Sequence, residues 1–194
     1  MKKALLIVDL QNDFCPGGAL GVHGGDEIVP VINRLITRAA ARGYLIAATR
    51  DWHPEKTTHF NSFGGLWPAH CVMDSHGAKF HPEAALPPQT IIVSKGTNHS
   101  DNAYSAFEGR TETGLALSDV LRENGITELY ITGLATDYCV KESALGAIRH
   151  GFACFVVKDA CRAVNIKPDD EKNALEEMEK HGVRIILAGD LNGE

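Results

Sequence analysis

The chain lacks several things that would assign it elsewhere. It has no apolar run of about 18 residues, so no membrane-spanning helix is expected. It has no block of five or more basic residues, and 19 Lys and Arg stand against 25 Asp and Glu, a net charge of −6. That balance argues against nucleic acid or an anionic membrane as partner. Five cysteines, an odd number with no CxxC pair, fit free thiols in a reducing cytoplasm and not a disulfide framework or a cysteine-rich zinc site. The opening MKKALLIVDL begins as a secretory signal would, but its apolar run stops at Asp9 and no small-residue cleavage site follows. No internal repeat or low-complexity linker interrupts the 194 residues, which are expected to form one domain, 1–194.

What is present is an alternation of short apolar runs with helical patterns. ALLIV at 4–8, YLIAAT at 44–49, IIVSK at 91–95, ELYIT at 128–132, FACFVV at 152–157 and VRIILA at 183–188 read as strands buried on both faces. Between them, 26–42, 115–125, 137–150 and 168–182 carry helical periodicity, closed by Gly43, Gly125, Gly151 and Gly182. This order predicts a Rossmann-like α/β three-layer sandwich, a parallel sheet flanked by helices. One segment breaks the rhythm: 51–88 has no convincing period, yet holds five histidines and both tryptophans. A structureless stretch of that length is usually functional.

In open parallel sheets, ligands bind beyond the carboxyl ends of the strands. Those ends here supply Asp9, then Asp51 with His53, then Lys95, then the GLATDYCV stretch containing Cys139. Cys139 falls at the first turn of a predicted helix, where the unpaired N–H groups lower a thiol's pKa and can receive an oxyanion. A buried apolar cysteine is the competing reading, and the one that suits Cys154 inside its strand. A carboxylate such as Asp9 beside the thiol could take its proton and return it to a leaving amine, and Lys95 between them would hold both anions. Asp51 and His53 form D-x-H, with His59, His70, His76 and His81 following; carboxylate and imidazole suit Zn²⁺, Fe²⁺ or Mn²⁺. Phe14, Trp67 and Tyr104 are either loop anchors or a slot for a flat ring.

Five blocks, VDLQNDF (8–14), TRDWHP (49–54), WPAHC (67–71), SKGTN (94–98) and GLATDYCV (133–140), together resemble the nicotinamidase/pyrazinamidase branch of the isochorismatase-like hydrolases. The resemblance implies a six-stranded parallel sheet with flanking helices and a metal-binding loop at about 51–88. It implies a catalytic triad of Asp9, Lys95 and Cys139, metal ligands Asp51, His53 and His70, and ring-packing Phe14, Trp67 and Tyr104. It further implies a cis peptide at Leu134–Ala135, with the Ala135 and Cys139 amides forming an oxyanion hole. His59 stays open between a further ligand and a place left to water. The expected activity is hydrolysis of nicotinamide, and of pyrazinamide, to the acid and ammonia through a Cys139 thioester, with one divalent ion, zinc before iron or manganese, orienting the ring. An amidohydrolase of the same superfamily acting on a carbamoyl or ureido substrate is the alternative, and it would need neither metal nor aromatic slot. A noncatalytic pyridine-binding module and a thiol redox sensor fit the triad positions less well. Homo-oligomerisation leaves no mark in one sequence.

Overall fold

A computed structural model describes residues 2–100 and 104–192. Tyr104 lies within the described residues. The six anticipated strands form as β1 (Lys2–Val8), β2 (Leu45–Asp51), β3 (Ile91–Lys95), β5 (Ile126–Leu134), β6 (Ala153–Arg162) and β7 (Arg184–Ile186). A seventh, β4 (Arg110–Thr111), corrects the expected count of six. At two residues it is too short to leave a pattern, and it pairs antiparallel to β3 at the sheet edge. Among the described residues the sheet order is β4-β3-β2-β1-β5-β6-β7, parallel everywhere except that edge.

The helices are α1 (Val29–Ala41), α2 (Leu117–Glu123), α3 (Lys141–Arg149) and α4 (Asp170–Lys180). α1 starts three residues later than the pattern suggested, with Pro30 in its first turn, where a missing N–H costs nothing. Strand side chains alternate between two cores. Leu5 and Ile7 face α1 through Ile32, Leu35, Ile36 and Ala39. Ala4, Leu6 and Val8 face α2, α3 and α4 through Leu117, Leu121, Ala144, Leu145 and Met178. β1 is thus buried on both sides, which is why its sequence reads as an unbroken apolar run.

The chain runs outward from β1 to β2 and β3 on one side, and to β5, β6 and β7 on the other. The switch point lies between β1 and β5, where a crevice opens at the carboxyl ends. Gly133 sits there with φ 114°, level with Val8, and a Cβ on it would stand 2.0 Å from the Val8 carbonyl oxygen. Only glycine lets the two central strands approach this closely.

Candidate active site

The expected 137–150 helix begins as a single π-helical turn, Thr136–Val140, that feeds α3. The Val140 amide reaches back to the Ala135 carbonyl (3.1 Å), and the Leu134–Ala135 peptide is cis, as the resemblance implies. Cys139 lies in this turn, 7% exposed, at the wall of a cleft. Ala135, His59, His70, Trp67 and Tyr104 also line the cleft.

Three segments far apart in sequence converge on Cys139. Lys95, 1% exposed, directs its ammonium to the Cys139 sulfur at 3.4 Å and to Asp9 Oδ2 at 2.9 Å. It also forms a short ion pair with Asp51 Oδ1, a contact not anticipated from the sequence. The sheet register explains it, because Asp51 and Lys95 are direct partners across β2 and β3. The Cys139 sulfur and one carboxylate oxygen of Asp9 lie within 4.8 Å of each other. Asp9 itself, at φ 47° just past β1, accepts a hydrogen bond from the Thr49 hydroxyl at 2.7 Å.

Electrostatics follow from burial. Burial raises the Asp9 carboxyl; Lys95 pulls it back, and Asp51 adds to the rise. Burial likewise pushes the Cys139 thiol well above its ordinary value, against Lys95 and with help from Asp9 and Asp51. Burial thus opposes the resting thiolate that the helix start alone would favour, and it strengthens the neighbouring base. Burial would lower Lys95, but Asp51, Asp9 and Cys139 hold it well above the ordinary range, so it stays charged. Burial would raise Asp51, but Lys95, His53 and His70 keep it ionised.

Beside the triad positions, His53, His59 and His70 bring one ring nitrogen each within 4.8 Å of one another, all buried. Asp51 Oδ2 lies 3.6 Å from His53 Nε2 and 3.9 Å from His70 Nε2. His53 Nδ1 donates to the Gly96 carbonyl (2.9 Å) and His70 Nδ1 donates to the Pro68 carbonyl (2.8 Å). Each ring's Nε2 lone pair is thereby turned toward the shared centre, as carbonyl-oriented metal ligands are. Burial holds His70 below its ordinary pKa, hence neutral. His53 Nε2 is buried without a hydrogen-bond partner, an orphan that a divalent ion would satisfy. The donor set therefore fits a hard or borderline cation, with His59 joining Asp51, His53 and His70 as a candidate ligand.

Of the three aromatics, Trp67 and Tyr104 form one wall, the indole N–H donating to the Tyr104 hydroxyl at 2.9 Å. Tyr138 packs edge-on to Trp67 at 5.2 Å between centroids, a wall residue the sequence reading passed over although it stands in GLATDYCV. Phe14 also lines the cleft, 5.5 Å from the His70 ring. Also passed over were Thr49 and Gln11, each inside a quoted block, and Asp137, whose carboxylate accepts the Val164 and Asn165 amides at 2.9 Å each and so ties the Cys139 turn to the loop after β6.

A doubly wound α/β sheet with a thiol, an acid and an ammonium gathered at its switch point defines a protein of the cysteine-hydrolase type, with a histidine cluster alongside. A profile of the Isochorismatase domain matches residues 3–190. The chain belongs to that family. It is 42% identical to a nicotinamidase of Escherichia coli, over 97% of this chain and 96% of that protein. It is 38% identical to a nicotinamidase/pyrazinamidase of Mycobacterium tuberculosis, over 96% and 99%. The crystal structure of a pyrazinamidase of Pyrococcus horikoshii in complex with zinc superposes with a TM-score of 0.89 at 46% identity, covering 96% of this chain and 99% of that one.

Proposed function

We propose that this protein is a nicotinamidase, hydrolysing nicotinamide to nicotinate and ammonia, and pyrazinamide in the same way. The observation that carries the reading is the Lys95 ammonium bonded at once to Asp9 and to the Cys139 sulfur, next to the histidine cluster. The ring enters between Phe14 and the Trp67–Tyr104–Tyr138 wall. A divalent ion at Asp51, His53, His59 and His70, zinc by its precedent in the Pyrococcus relative, would supply a Lewis-acidic anchor for the ring nitrogen.

Asp9, made more basic by burial, takes the thiol proton as Cys139 sulfur bonds to the carboxamide carbon. The negative charge moves to the carbonyl oxygen, which the Ala135 and Cys139 amides receive. Collapse breaks the C–N bond, and Asp9 delivers its proton to the departing nitrogen, releasing ammonia and leaving a thioester. Water, deprotonated by Asp9, attacks the thioester carbon. The C–S bond breaks, nicotinate leaves and the proton returns to sulfur. Lys95 stays charged throughout and offsets the negative charge shared by Asp9 and Cys139.

Consumption of an amide of this kind suits recycling of nicotinamide toward NAD. Five free, buried cysteines suit the cytoplasm, and no described helix is long and apolar enough to cross a membrane. We take 1–194 to act as one hydrolase domain, with its metal-binding loop at about 51–88. The alternative, a carbamoyl or ureido amidohydrolase, leaves the orphaned His53 nitrogen and the aromatic wall without a task. The test is ammonia release from nicotinamide, pyrazinamide and a carbamoyl amino acid by the native protein and by Cys139→Ala. The variant should fold and bind nicotinamide with no turnover. Substantial residual turnover would remove the covalent route, and activity confined to the carbamoyl substrate would replace the proposed one.

A further inference from the structure

We propose that Gln11 and Asp13 are positioning residues for the cation site, holding Asp51 and the His70 loop in register through hydrogen bonds to main chain. This rests on the metal-site reading above and goes beyond it by naming what sets the ligand separation.

The β1–β2 ladder runs out near the site. Its last register pair is Ile7 with Ala48, and the Asp9 amide then reaches the Thr49 carbonyl at 3.2 Å. At Asp9 the backbone turns away, and Asp51, two residues further along β2, would lose its partner on the β1 side. The Gln11 side chain takes that place. Its Oε1 accepts the Asp51 amide at 2.8 Å and its Nε2 donates to the Asp51 carbonyl at 2.8 Å. A primary amide carries the donor and acceptor of a peptide unit, so one side chain extends the ladder by one residue. The second N–H of Nε2 donates to the Ala78 carbonyl at 2.9 Å. Gln11 is 0% exposed, so water cannot stand in for any of these bonds.

Asp13 does the matching work on the other arm. Its Oδ2 accepts the amide of Cys71, the residue after His70, at 2.7 Å. The main chain between them is pinned to residues 77–81, through Asn12 N–H to Lys79, Asp13 N–H to Gly77 and His81 N–H to Leu10. This also gives residues 77–81 a task that their sequence does not disclose. His53 and Cys71 already pair directly at 3.0 Å, which ties His53 to the His70 loop. The distance from that pair to Asp51 is what the 10–13 segment governs, holding Asp51 by one side chain and the Cys71 amide by another.

The experiment compares Gln11→Leu, Asp13→Ala and Asp13→Asn with the native chain. Each protein is stripped of metal, checked for fold by circular dichroism, and titrated with zinc against a chromophoric chelator. Gln11→Leu and Asp13→Ala should bind zinc about 10- to 100-fold more weakly, the usual loss for outer-shell partners. Asp13→Asn keeps an acceptor oxygen for the Cys71 amide and should recover most of the affinity. A purely architectural role would lower the melting temperature of the metal-free variants and leave the zinc Kd unchanged, and that result would overturn the proposal. If Gln11→Leu does not fold, the Asp13 pair decides. No zinc binding by the native chain, or undiminished binding by a His53→Ala control, would overturn the metal-site reading itself and this proposal with it.

Discussion

Thr49→Val tests the base most cleanly, because it changes one hydroxyl and almost no volume. The Thr49 hydroxyl donates to Asp9 Oδ1 at 2.7 Å in a site that is 0% exposed for both residues, so water does not replace it. A hydrogen bond to a charged group contributes about 1.5–3 kcal/mol. If that contribution is lost wherever Asp9 must be ionised, then at about 1.4 kcal/mol per decade kcat/KM falls about 10- to 150-fold. The pH dependence should move with it. Burial already raises the Asp9 carboxyl, and the Thr49 bond is one of the contacts that restrains the rise. Activity needs ionised Asp9, so kcat/KM climbs as pH rises through its pKa. Removing a bond that favours the ionised form raises that pKa, and the acid limb of the profile moves to higher pH. The assay is ammonia release from nicotinamide across pH, with the melting temperature taken in parallel. A variant that folds, keeps its rate and keeps its acid limb in place would refute the assignment of Asp9 as the proton carrier.

Three further outcomes follow from the same geometry. Gly133→Ala would drive a Cβ to within 2.0 Å of the Val8 carbonyl at φ 114°, and should cost about 4–5 kcal/mol of stability, read as lost soluble yield or a collapsed melting temperature. Chelation should raise KM for nicotinamide more than it lowers kcat, with zinc restoring both; an unchanged KM in protein shown by metal analysis to be metal-free would contradict a ring-anchoring role. Cys139→Ala should leave the circular dichroism spectrum and nicotinamide binding intact while ammonia release disappears.

Much of the fold is visible in the sequence for one reason: strands buried on both faces must be continuously apolar, so each polar residue that ends a run marks a carboxyl-end position. Asp9, Asp51 and Lys95 announce themselves that way, and Cys139 by its place just past the apolar run ELYIT and at the start of a helical pattern. What was hidden depends on contacts between distant segments. The Lys95–Asp51 pair is set by the β2–β3 register, which no single run reveals. β4 is too short to show a period. Within the irregular 51–88 region, Cys71 and residues 77–81 are held by the 10–13 segment, through hydrogen bonds between segments far apart in sequence. The burial of Cys139, which opposes the thiolate that its helix position favours, likewise comes from segments distant in sequence.

The covalent step can be observed directly. Native protein mixed with nicotinamide, quenched in acid within the first turnover and digested, should yield the Cys139 peptide heavier by one pyridine-3-carbonyl group in place of the thiol hydrogen, and hydroxylamine should remove the adduct. A competent enzyme that turns over nicotinamide while the acyl group appears on another residue would contradict the mechanism.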